Sequence, residues 1–177
     1  MSKIFVDIKA VTAVLLLSAV AAVAQNSVPP APGPVPAAIL TAKKIFVSNA
    51  GADSGLFPHP FSDNPDRGYD QFYAALKSAG DFKLVGDPSQ ADLVLELRLT
   101  APYGPSNADK EKGASDPLPM FRLVIYDIKT HYVLWALTEA IDAANLQKTH
   151  DRNFDDALTR LVLDFESLTG NAPAAAH

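Results

Sequence analysis

The chain has 177 residues, no cysteine, and a formal net charge of −5 from 15 basic and 20 acidic side chains. Without cysteine there is no disulfide framework, no thiolate nucleophile, no iron–sulfur cluster and no cysteine-based zinc site. The acidic balance sets the chain against nucleic acid and anionic membrane surfaces, both of which are held through basic patches.

The first two dozen residues read as an export signal. Lys3 and Lys9 form a basic start, residues 11–20 (VTAVLLLSAV) form an apolar run, and Ala22 and Ala24 place small side chains at the −3 and −1 positions before Gln25. The run is short for a bilayer span and no stop-transfer pattern follows, so residues 1–24 are expected to be cleaved rather than kept as an anchor. The mature chain then carries 13 basic and 19 acidic side chains, a net charge of −6. With no cysteine there is no lipid-attachment residue. The expected address is periplasmic or secreted, with no membrane insertion after cleavage.

Residues 25–40 contain the Pro-rich run SVPPAPGPVP and read as an extended, solvated linker. Residues 41–170 are long enough for one α/β domain, and residues 171–177 (NAPAAAH) read as a disordered tail. Within the domain, residues 44–48 (KIFVS) read as a first strand, followed by a loop over residues 49–64 rich in Gly and Pro. Asn64 as N-cap and Pro65 at the first helical position open a helix. Its apolar stripe is Tyr69, Phe72, Tyr73 and Leu76, and Gly80 closes it.

Residues 82–85 (FKLV) form a second strand. Residues 93–99 (LVLELRL) alternate clearly, with four leucines on one face and Glu96 and Arg98 on the other. A polar stretch with a DKEK run covers residues 100–119, and its segment 108–115 is expected to be a dispensable loop. Residues 120–128 alternate again, Asp127 to His131 form a hairpin turn, and residues 132–141 (YVLWALTEAI) return. The return strand is apolar on both faces and is expected to be central, with Trp135 as a core anchor. The last helix is expected from Asn153, with an Asn153–Asp156 capping pair, an Asp156–Arg160 ion pair, and Gly170 at its end.

The fold class is therefore α/β (α+β): a single mixed sheet of about five strands in the order β-α-β-β-β-β-α, with two helices on one face. The other face is expected to be partly wetted, as Glu96, Arg98 and Arg122 suggest. The segments KKIFVSN, GYDQFYAALKSAG, FKLVGDPSQADLVLELRL and FRLVIYDIKTHYVLW, closed by an amphipathic helix, carry a resemblance. In order and pattern they resemble small envelope domains of the CsgG/LpoB type and the N-terminal domain of TolB. They also look like exported bacterial proteins that share the phrase YDIKTHYVLW. The resemblance implies the fold and an envelope setting and supplies no function. Those relatives often carry a lipidated cysteine, which this chain lacks.

No catalytic motif is present: no GxSxG elbow, no HExxH, no phosphate loop and no dinucleotide fingerprint. His59, His131, His150 and His177 share no metal spacing, so neither a metal nor another cofactor is expected. A right-handed crossover through the first helix would make the first and third strands parallel. Their C-terminal ends would then share one edge of the sheet, where ligands of α/β folds gather. The candidate site there is Phe57, His59, Phe61, Asp63, Tyr103, Glu139 and Asp142, with Met120 beside it. Loop aromatics are costly to leave bare, so they either meet a partner or fold onto the core. The leading reading is a non-catalytic exported binding or adaptor domain with an envelope protein as partner. The alternatives are a hydrolase using carboxylates near Glu139 and Asp142, and a small-ligand binder at the loop edge.

Overall fold

The computed structural model describes residues 33–102 and 118–171. The export signal, most of the Pro-rich linker, Tyr103, the segment 108–115 and the tail beyond Asn171 lie outside the described residues. The described elements are α1 (Ala37–Thr41), β1 (Lys44–Ala52), α2 (Arg67–Ala79), β2 (Lys83–Leu84), β3 (Leu93–Thr100), β4 (Met120–Asp127), β5 (Val133–Ala140) and α3 (Gln147–Thr169). A short 3₁₀ turn, Pro88–Gln90, precedes β3.

The strands form one mixed sheet in the order β2-β1-β3-β4-β5. β1 is parallel to both β2 and β3, while β4 is antiparallel to β3 and β5 antiparallel to β4. The expected class, strand number and parallel β1/β3 pair are all present. Strand alternation decides which face is covered. Leu93, Leu95, Leu97 and Leu99 of β3 stand beside Phe121, Leu123 and Ile125 of β4, and all seven are buried. They share one core with Ile45 and Val47 of β1, Phe72 and Leu76 of α2, and Phe154, Leu158, Leu161 and Phe165 of α3. On the opposite face Arg98 and Arg122 are exposed, and Glu96 is half-buried.

Helix ends follow the side chains available to their orphan backbone groups. α2 starts at Arg67 with Asp66 at its N-cap, two residues later than expected; Asn64 Oδ1 accepts from the Asp66 N–H at 2.8 Å and so holds the entry turn instead of capping the helix. Gly80 and Gly170 close α2 and α3 in the left-handed conformation at φ 76°. At Gly170 the following N–H, of Asn171, reaches back to Glu166 O at 2.9 Å. The hairpin turn is also as expected: Asp127 accepts from the Lys129 N–H and the Thr130 hydroxyl.

Five expectations are corrected. Residues 37–40, the end of the segment read as linker, belong with Thr41 to the helix α1, and Ile39 is buried in the core. An apolar side chain that the core can accept outweighs the Pro-rich context. β5 is an edge strand, not a central one; α3 lies over one of its faces, and Leu134 and Trp135 are half-buried there. Its apolar content on both faces reflects a bulge at Leu134, where the register with β4 shifts, rather than two covering layers. α3 starts at Gln147, six residues before the expected Asn153, because its first turns are polar and show no apolar period. The Asn153 amide donates to Asp142 O instead of capping, and Arg160 pairs with Glu139 instead of Asp156.

Candidate functional site

Because β5 runs with β3 and β1, the C-terminal ends of all three strands lie at one edge of the sheet. β1 ends in a bulge between Asn49 and Ala52. Asn49 Oδ1 accepts from the Gly51 N–H at 2.8 Å, and Gly51 takes φ 76°, a conformation open to glycine at no steric cost. The Asn49 amide donates to Asp66 Oδ1 at 2.7 Å, tying the strand end to the start of α2. Asp53 then caps the end of β3: its carboxylate accepts from the Ala101 N–H at 3.0 Å, the Thr100 hydroxyl at 2.7 Å and Arg98 at 2.8 Å. These bonds, the Ala101 N–H foremost, lower its pKa to about 2.

The following loop folds inward, over the first turns of α3. Phe61 is fully buried, with its ring centroid 5.1 Å from that of Phe154, 6.0 Å from Phe57 and 6.2 Å from the His150 ring. Phe154 packs edge-on against Phe121 at 4.8 Å and against Phe57 at 6.3 Å. Of the two outcomes open to the loop aromatics, Phe61 takes the core, and Phe57 is half-buried against it. The early start of α3 supplies the roof that makes their burial favourable. Gly68 of α2 lets the cluster close: a Cβ there would lie 3.0 Å from Phe121 and 3.6 Å from Phe154.

Arg67 is the polar centre of this edge. Its guanidinium donates to Asp151 Oδ1 at 2.7 Å and Asp155 Oδ1 at 2.6 Å, with its carbon 4.4 Å from the Phe154 ring centroid. The Arg67 side chain is 9% exposed and Asp151 22%, whereas Asp155 is 50% exposed, so the pair with Asp151 is the less screened of the two. Burial works to lower the Arg67 pKa, but the bonds to Asp151 and Asp155 raise it overall. Asp151 Oδ1 also accepts from the Ser62 N–H at 2.9 Å. Burial pushes the Asp151 carboxyl up, yet Ser62 and Arg67 outweigh it and bring the pKa to about 2. Gln147 completes the dock, donating to Pro60 O at 2.6 Å and facing His59 Nδ1 at 3.2 Å.

The remaining candidates divide. Glu139 stands on the covered face and accepts from Arg160 Nε at 3.0 Å, while Arg160 also donates to Ala140 O at 3.0 Å. Asp142 is exposed, and only its backbone carbonyl is engaged, by Asn153 at 2.9 Å. His59 and Asp63 are exposed, Asp63 with φ 81°, and Met120 is half-buried opposite Ala140. Tyr103 lies outside the described residues. Sequence reading missed Arg67, Asp151 and Asp155. The one available signal was the i,i+4 spacing of Asp151 and Asp155, which counts only once the helix is carried back to Gln147.

Asp53 and Asp151 both have folded-state pKa values near 2, below the usual 3.8. Their stabilisation is complete above about pH 4 and is lost as pH falls through about 2. Glu166 acts in the opposite sense: burial, then the charge of Asp81, raises its pKa, so protonation favours the fold. The thermal midpoint should hold down to about pH 4 and fall steeply toward pH 2. Asp151→Asn should flatten that fall. A midpoint unchanged across this window, or an identical fall in the variant, would contradict the assignment.

These elements define a mixed five-stranded α+β domain with its β1–α2 loop docked against the first turns of α3. Among solved structures it is similar to the PelC dodecamer protein of Paraburkholderia phytofirmans, at 15% identity and a TM-score of 0.41, over 78% of this chain and 94% of that one. It is similar to a Xanthomonas campestris protein of the DUF330 family model, at 15% identity and a TM-score of 0.43, over 73% of this chain and 85% of that one. It is also similar to the C-terminal domain of LpoB from Escherichia coli, at 15% identity and a TM-score of 0.39, over 64% and 88%. The LpoB-type likeness read from the sequence pattern is thus found among the structures. No protein-family model matches the chain. No curated protein matches it in sequence.

Proposed function

We propose that the protein is an exported cell-envelope binding or adaptor domain that acts on a protein partner without catalysis. The observation that supports this reading is the use to which the loop edge puts its chemistry. Phe61 packs into the core with Phe57 half-buried against it, Asp151 and Asp155 hold Arg67, Asp53 caps β3, and Glu139 holds Arg160. Of the two carboxylates the hydrolase alternative draws on, Glu139 is held by Arg160, and Asp142 stands apart from it, exposed at the surface. His59, Asp63 and Asp142 remain outward and form the polar rim available to a partner. No helix among the described residues is long and apolar enough to cross a membrane.

Two measurements test the proposal. N-terminal sequencing of exported material should show processing between Ala24 and Gln25; a membrane-bound species that starts at Met1 would contradict the address. Tagged mature protein should capture a defined partner from envelope extract. The combined variant His59→Ser, Asp63→Asn, Asp142→Asn should lose that partner while its melting temperature stays near wild type, since all three are surface positions. Capture of the same protein in undiminished amount would remove the rim from the interface.

A further inference from the structure

We infer that β5 is the docking edge for a second copy of this chain, the two β5 strands pairing antiparallel about a twofold axis at Leu137. The inference is independent of the proposed envelope partner and rests on the two edges of the sheet. One edge, β2, has only two residues and carries the exposed Lys83, both of which discourage strand addition. The other, β5, has eight residues with neither proline nor lysine. Its one charge, Glu139, is already neutralised by Arg160. Among the described residues β5 has no neighbour beyond β4.

The hydrogen-bond phase shows what this edge offers. The Ile141 N–H donates to Pro119 O at 2.8 Å, which marks Pro119 and Ile141 as a hydrogen-bonded pair. Along an antiparallel ladder such pairs alternate with non-hydrogen-bonded ones. Met120–Ala140, Arg122–Thr138 and Val124–Ala136 are thus the non-hydrogen-bonded pairs. Ala136, Thr138 and Ala140 accordingly turn their N–H and C=O groups away from β4. Arg160 occupies the outward carbonyl of Ala140 at 3.0 Å. Ala136 and Thr138 are exposed, with donor and acceptor directed to the open side.

One register satisfies both residues of both copies. With Leu137 opposite the partner's Leu137, Ala136 faces the partner's Thr138 and Thr138 faces the partner's Ala136. Each of these pairs exchanges two backbone bonds. On the covered face Leu137 packs on its counterpart and Trp135 lies opposite the partner's Glu139, so no like charges meet. The bulge at Leu134 falls outside the paired segment. A register centred on Ala136 would instead bring Thr138 opposite the bulge and break the ladder there. A foreign strand could take the same edge, but self-pairing needs nothing beyond this sequence in this register.

The test is the mass of the mature chain by sedimentation equilibrium over rising concentration. The expected result is a dimer of twice the monomer mass. Ala136→Pro removes one outward N–H and leaves the β4 ladder intact, and Thr138→Glu places a charge on the same edge. Each should return the chain to monomer with unchanged circular dichroism. Should the proline variant fail to fold, the Thr138→Glu variant decides. The chain has no native cysteine, so Leu137→Cys reports the register directly. It should crosslink under mild oxidation much faster than Ser54→Cys, an exposed position away from this edge. A wild-type chain that stays monomeric overturns the inference. So does a dimer that survives the edge variants, or Leu137→Cys crosslinking no faster than the control.

Discussion

Phe154→Ala should be the most damaging single substitution in the domain, costing about 3–5 kcal/mol. The ring has no solvent exposure, and it is the one side chain that touches Phe57, Phe61, Phe121 and the Arg67 guanidinium together. Its loss leaves a cavity between α2, α3 and the loop. The cavity cannot collapse easily, because Gly68 already brings the α2 backbone against Phe121. The urea midpoint should fall with an unchanged slope. Amide exchange over residues 56–62 should accelerate more than in the strands, since the loop loses its roof. A loss below about 1 kcal/mol would show that the loop is held elsewhere.

Arg67→Met should follow, at about 2–4 kcal/mol. Methionine keeps the apolar stem over Phe154 but removes every donor. Asp151 and Asp155 are then left facing one another across one helical turn without their cation. The greater part of the cost is this uncompensated charge rather than the lost attraction, so acid should reduce the difference from wild type. Unfolding compared at pH 7 and pH 4 checks this. A deficit that grows toward pH 4 would contradict the ion-pair account, because protonation relieves unpaired carboxylates.

Much of the fold was legible because its signals are local. The alternation of LVLELRL, the stripe from Tyr69 to Leu76, the Asn64 entry turn, the Asp127 turn and the glycine stops at Gly80 and Gly170 each follow from a few neighbouring residues. The parallel placement of β1 and β3 was legible as well, through the handedness of the α2 crossover. What stayed hidden is non-local. The start of α3 at Gln147 has no apolar period, and its stability comes from contacts with a loop nearly ninety residues earlier, such as Gln147 to Pro60. The same blind spot left the loop aromatics open between a partner surface and the core. Phe57 and Phe61 have the composition of a binding surface, and only the position of His150 and Phe154 shows that Phe61 is core and Phe57 half-buried against it. Arg67 looked like an ordinary first-turn residue, although its partners lie 84 and 88 residues away.

The C-terminal ends of β1, β3 and β5 thus share one edge of the sheet, and the charges of Arg67, Asp151 and Asp155 pair with one another there. The Arg67–Asp151 pair tests that claim most directly, through a double-mutant cycle of Arg67→Gln and Asp151→Asn read by urea unfolding. If the pair holds the loop edge together, the two effects are strongly non-additive, with a coupling of about 1.5–3 kcal/mol. The double variant should then be scarcely less stable than the worse single one. Effects that simply add, within about 0.5 kcal/mol, would mean that these charges are free of one another. The loop edge would then again be a place where carboxylates stand available for chemistry.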